Sequence, residues 1–206
     1  MLRYLAIALA LGLTACGQQA PQLSDEKQTA SATASHNASR PSIGPAGAAG
    51  ISTPLPMSVE AVRAAAAGLT ATEVQDQVEG QPFTAIALSS GAEEVFRIYP
   101  TADGANIHAI STKSPNVRGP TEDIVGVTTF AVAPIDDVRF CVADLVDGEA
   151  GFACSTAEDG RFWRIYRLPE GAEPAASFEE IEPDLLHEAT LAEMRWIAPR
   201  VTVALN

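Results

Sequence analysis

Beyond residue 80, apolar and polar positions alternate in short runs broken by Ser-Gly and Asp-Gly pairs. A period of two marks half-buried strands, and Asp-Gly tolerates the positive φ of a tight hairpin turn. Strands are predicted at 83–88 and 93–99 about Ser90-Gly91, and at 93–100 and 106–112 about Asp103-Gly104. A second set is predicted about Asp147-Gly148 and about Asp159-Gly160, which joins 150–157 to 161–168. Residues 191–197 alternate and read as a last strand. Helical signals are fewer. Ser58 can cap an alanine-rich helix over 58–67, and Thr70 and Glu73 have capping-box spacing ahead of Gly80. A short helix or turn is expected over 129–134. Gly68-Leu69-Thr70 and Gly126-Val127-Thr128 each open a run of this kind, and Arg97-Ile98-Tyr99 is echoed by Arg164-Ile165-Tyr166. The reading is α+β: an antiparallel sheet of six to seven strands with helices packed on one face, built as an α-β-β-β duplication.

The amino terminus follows another pattern. Arg3 precedes an apolar run over 5–13, too short for the roughly 20 residues of a spanning helix and of the kind that directs export. Leu13-Thr14-Ala15-Cys16 resembles the bacterial lipobox, so residues 1–15 are expected to be a signal peptide and Cys16 the lipidated residue. Gly17 is not the aspartate that retains many such proteins at the inner membrane, which points to the outer membrane's inner leaflet, facing the periplasm. Residues 16–55, rich in Ala, Ser, Gln, Pro and Gly, are expected to form a disordered tether with a span on the order of 35 Å. One domain is left, 56–206.

The sequence carries a formal charge of −13, with only two lysines, Lys27 and Lys113. That balance argues against nucleic acid as a partner. Of three cysteines, Cys16 is assigned to lipid, which leaves Cys141 and Cys154 as an even pair in an oxidising compartment. A turn at Asp147-Gly148 sets residue i opposite residue 295 − i and brings the two thiols together at a non-hydrogen-bonded position. There Cα atoms approach to about 4.5 Å, within disulfide range. The same turn puts Cys141, Ala143, Leu145, Ala150, Phe152 and Cys154 on one apolar face. If Asp159-Gly160 is a second two-residue turn, Ile165 and Trp163 join that face. Phe140, Phe162, Arg164 and Tyr166 then lie on the other, either covered by helices or exposed as a binding surface.

These features together resemble the RpoE-regulated lipoprotein family. They are the lipobox and polar tether, the strand and loop leading into Val125-Gly126-Val127-Thr128-Thr129-Phe130, the cysteines enclosing an Asp-Gly turn, and the closing Met194-Arg195-Trp196-Ile197. The long tether and an insertion over 170–183 depart from the family pattern. The resemblance implies an α+β fold, an envelope address and a role in envelope stress, and it brings no catalytic residues.

Chemistry is sparse. His36, His108 and His187 lack the spacing of a metal site, and the acidic residues from Asp136 to Asp159 do not follow a calcium-binding loop. No nucleophile elbow or phosphate-cradling glycine loop occurs. Neither catalytic residues, metal nor cofactor is expected. The leading expectation is a non-enzymatic module, lipid-anchored in the membrane, that binds an envelope protein through a sheet face or edge. Two alternatives stand beside it. One is an envelope hydrolase acting on peptidoglycan or glycan, with Glu179, Glu180 and Glu182 as candidate carboxylates. The other is a structural or stress-response lipoprotein without a specific partner.

Overall fold

The structure, a computed structural model, describes residues 40–78 and 80–200. The expected signal peptide, Cys16 and most of the expected tether lie outside the described residues. A hairpin, β1 (Ile43–Gly44) and β2 (Gly47–Ala48), comes first, followed by helix α1 (Val59–Ala65). Four strands follow: β3 (Thr70–Val78), β4 (Gln81–Ser90), β5 (Glu93–Pro100) and β6 (Ile107–Thr112). A long connection with 3-10 turns at Phe130–Val132 and Ile135–Asp137 leads to β7 (Phe140–Val146), β8 (Glu149–Ser155) and β9 (Phe162–Arg167). After a 3-10 turn at Phe178–Glu180 and helix α2 (Pro183–Glu188), β10 (Thr190–Ile197) completes the sheet.

The eight long strands form one antiparallel sheet in the order β3-β4-β5-β6-β10-β9-β8-β7. Two four-stranded meanders therefore meet at β6 and β10, each running from an outer edge to the centre. β3 corresponds to β7, and β5 to β9. One face is the core. Ile86, Ile98, Ile110, Trp196 and Phe162 are directly opposite one another across five strands, all buried. Phe152 and Tyr166 stack nearby at 5.2 Å between ring centroids, with Phe130 edge-on to both.

The expected α+β class is overturned: the fold is mostly β, and helices do not form a layer on the sheet. The core face is covered instead by the β1–β2 hairpin, short α1, the 113–139 connection and the 170–189 segment, which supply Ile51, Val62, Val117, Val125 and Ile181. The helix expected after Thr70 is strand β3. Thr70, Thr72, Val74 and Val78 recur at even spacing, and β-branched side chains at that period favour a pleated strand over the capping-box spacing of Thr70 and Glu73. With that helix gone, the α-β-β-β duplication goes too.

The domain also begins earlier than residue 56. Ile43, Ala48 and Ile51 are buried in the core although they lie in the segment assigned to the tether. Its glycines serve close packing. A Cβ on Gly47 would lie 2.3 Å from the carbonyl oxygen of Ile51, so the tight turn admits no side chain there.

Candidate functional site

Asp147 (φ 56°) and Gly148 (φ 86°) are both in the left-handed region, as a type I′ turn needs, and β7 and β8 pair with i opposite 295 − i. Cys141 and Cys154 are opposite each other and joined by a disulfide, with Cα atoms 4.2 Å apart. The next hairpin departs from expectation. Asp159-Gly160 is not a two-residue turn: β8 ends at Ser155 and β9 begins at Phe162, the last pair between them is Cys154 opposite Arg164, and neither Asp159 nor Gly160 has positive φ. A Cβ on Gly160 would come within 1.9 Å of the Ser155 hydroxyl oxygen, so this glycine permits close approach within a longer loop. Tyr166 is then opposite Phe152, and Arg164 opposite Cys154.

That one-residue shift exchanges the faces. Phe162, Arg164 and Tyr166, the proposed exposed surface, are on the core side and buried, while Trp163 and Ile165 face away from it. Of the four residues only Phe140 stays on the outer face, its ring edge-on to Trp163 at 5.9 Å. Arg164 is 2% exposed. Its Nε donates to Asp123 Oδ2 at 2.9 Å and its Nη2 to Asp137 Oδ2 at 3.0 Å, and its guanidinium lies over the Phe162 ring at 5.0 Å. Two carboxylates from the 113–139 connection thus tie that segment to the sheet. Burial pushes the Tyr166 phenol far above its ordinary value, and its hydroxyl has no hydrogen-bond partner among the described residues.

The outer face carries a second apolar cluster and most of the paired charges of the sheet. Its apolar cluster consists of Val146, Ala153 and Ile165 with Trp163 and Ala192, all from the strands themselves. One cross-strand row reads Thr72, Ala87, Arg97, Ser111, Arg195 and Trp163. Ala85, Ala87, Ala109 and Ser111 are almost wholly buried on this face. All four are small, and three are paired directly with larger residues of β5: Ala87 and Ser111 with Arg97, and Ala109 with Tyr99.

Charges here are interlocked. Arg97 forms a fork with Glu94, Nε to Oε1 at 2.7 Å and Nη2 to Oε2 at 2.8 Å, and donates to Asp76 at 2.9 Å. The Glu94 hydrogen bonds hold its guanidinium above its ordinary value. Arg195 donates to Glu193 at 2.7 and 2.9 Å, and Lys113 lies between Glu193, at 3.9 Å, and Asp147. Arg167 bonds Asp147 at 2.9 Å and contacts Glu149 at 3.0 Å. Bonding to Lys113 holds the Asp147 carboxyl below its ordinary range. Two shallow clefts of about 470 and 590 Å³ open on either side of Lys113. The first is lined by Arg97, Tyr99 and Ser111, the second by Asp147, Arg167 and Glu188.

Neither motif nor spacing singles out Lys113, Glu193 or Arg195 as site residues. Once Trp196 is assigned to the core, a period of two puts Arg195 and Glu193 outside, and that signal was present in the sequence. Glu179, Glu180 and Glu182 are exposed and line neither cleft. Among the described residues no group of three or more His, Cys, Asp or Glu is placed to hold a metal ion, and no helix is long and apolar enough to cross a membrane.

No family model matches the sequence, and no curated protein matches it. Among solved structures, the uncharacterized protein yfeY from Escherichia coli superposes with a TM-score of 0.52 at 18% identity, covering 76% of this chain and 99% of that one. At that identity the likeness concerns the fold: this chain shares its architecture with yfeY.

Proposed function

We propose that this chain is an envelope lipoprotein, acylated at Cys16 on the outer membrane's inner leaflet, whose domain binds a protein partner on the outer sheet face. The observation that carries the binding reading is that face. It spans eight strands, presents Arg97, Arg195, Tyr99 and Trp163, and has an apolar cluster to which no helix or loop contributes. Arginine and aromatic residues are the types enriched where proteins meet. Charges of both signs, fixed in pairs, suit a partner with a matching alternation better than a uniformly charged polymer. The disulfide and the buried Arg164 stiffen the sheet, which lowers the entropy lost on docking.

The address rests on the sequence around Cys16 and on Gly17. Membership of the RpoE-regulated lipoprotein family is part of the same proposal. It is supported by the four sequence features and by a fold shared with yfeY.

Two measurements test this reading. Mass spectrometry of the protein from cells is expected to find the amino terminus at an acylated Cys16; an intact residue 1 without acyl groups would refute the anchor. Crosslinking in intact cells, followed by pull-down, is expected to enrich one envelope protein, and to lose it in the Trp163→Ala/Arg195→Ala variant. Equal recovery with that variant would refute the face, and no enrichment at all would favour a lipoprotein without a specific partner.

A further inference from the structure

Each half of the sheet closes its first strand with the same signature. β3 ends on Asp76-Gln77-Val78 and β7 on Asp144-Leu145-Val146, and in the sequence each is followed by an acidic residue and a glycine. These are the two edge strands of the sheet. Pairing runs to the valine in both hairpins, Val78 opposite Gln81 and Val146 opposite Glu149. In a hairpin with two residues between the closing pair, that pair is hydrogen-bonded and every second pair follows it. Asp76 and Asp144 therefore turn their own amides inward, while the amides of Gln77 and Leu145 point out of the sheet. Pro82, which has no N–H, lies opposite Gln77 and agrees with that phase.

An outward amide on an edge strand is where another strand would begin to pair. Here neither is free. Asp76 Oδ1 accepts the Gln77 N–H at 2.8 Å, and Asp144 Oδ1 accepts the Leu145 N–H at 2.8 Å. Each cap adjoins an exposed apolar residue, Val78 at 60% and Leu145 at 56%, which would otherwise favour association. Helix α1 also packs against β3, and the Phe178–Glu180 turn against β7.

We infer that Asp76 and Asp144 are edge guards: by occupying the outward amide nearest the turn, each blocks strand addition by a second copy of this chain at the turn end of its edge strand, beside the exposed Val78 or Leu145. The device consists of an acceptor oxygen on a specific N–H and is repeated at equivalent positions of the two halves. It operates whether or not the outer face binds a partner.

The test is self-association of the purified full chain by sedimentation velocity, with far-ultraviolet circular dichroism to verify folding. Asp144 has no ion-pair partner among the described residues, so Asp144→Ala is the variant least able to disturb the fold. It is expected to tighten self-association about tenfold, the equivalent of about 1.4 kcal/mol, and Asp76→Ala/Asp144→Ala further. Asp76→Asn/Asp144→Asn keeps the acceptor oxygen without the charge and is expected to behave as the parent. A folded Asp144→Ala protein that associates no more than the parent would overturn the proposal, as would an asparagine pair that associates as strongly as the alanine pair.

Discussion

Arg164 enters the core with a carboxylate on either side, and the cost of that arrangement appears when one partner is removed. Arg164→Ala would leave Asp123, itself 3% exposed, without its counter-charge, and is expected to cost about 3–5 kcal/mol in denaturant unfolding. Tyr166 is the opposite case. Its hydroxyl is buried without a partner, so Tyr166→Phe removes an unsatisfied group at little change in volume and is expected to be neutral or stabilising. The same substitution should change the alkaline limb of stability. A phenol whose folded value is raised ionises first in the unfolded chain, so parent stability falls above about pH 10, and the variant should lose less there. Asp147 works at the acid end. Its folded value is depressed by Lys113, so its contribution is present above about pH 4 and is lost as pH falls further. Asp147→Asn keeps the turn-compatible side chain and should flatten the acid limb. Because the carboxylate is half exposed, the effect will be small and screened by salt.

At the scale of elements, the β7–β8 hairpin depends on its turn and its staple. Replacing both Cys141 and Cys154 with serine is expected to cost about 3 kcal/mol, measured by thermal unfolding of oxidised parent against variant. This hairpin was legible in the sequence because one assignment, Asp147-Gly148 as a type I′ turn, fixed register, face and thiol pairing together. The following hairpin was not, because Asp159-Gly160 has the same letters for another reason. Its glycine makes room for the Ser155 side chain, and composition does not distinguish close approach from positive φ. A register error of one residue was enough to put Arg164 and Tyr166 on the wrong face. Strand β3 was hidden by a cap-like Thr70 and Glu73, although Thr72, Val74 and Val78 carried the strand period. The Arg-Ile-Tyr echo does fall on equivalent strands, β5 and β9, but Ile98 faces the core and Ile165 the outer side. The recurrence with matching register is Asp-x-Val-(Glu/Asp)-Gly, at the ends of β3 and β7.

For the whole molecule, composition misplaced the domain boundary. Glycine, alanine and proline over 41–55 look like tether, yet Ile43, Ala48 and Ile51 fill the core beneath the sheet. Ile51, 1% exposed, is expected to lose about 2–5 kcal/mol on replacement by alanine, and a chain begun at residue 56 should melt well below one begun at residue 40. What two meanders joined at β6 and β10 achieve is one broad sheet, covered on the core side and bearing paired charges on the other. The proposed role of the outer face is docking. Its most direct test is a photocrosslinking residue placed in turn at Arg195, Trp163, Glu60 and Glu173 in intact cells. One discrete adduct is expected from Arg195 and Trp163 and none from Glu60 or Glu173; adducts from the latter two alone, or from none of the four, would rule out docking on this face.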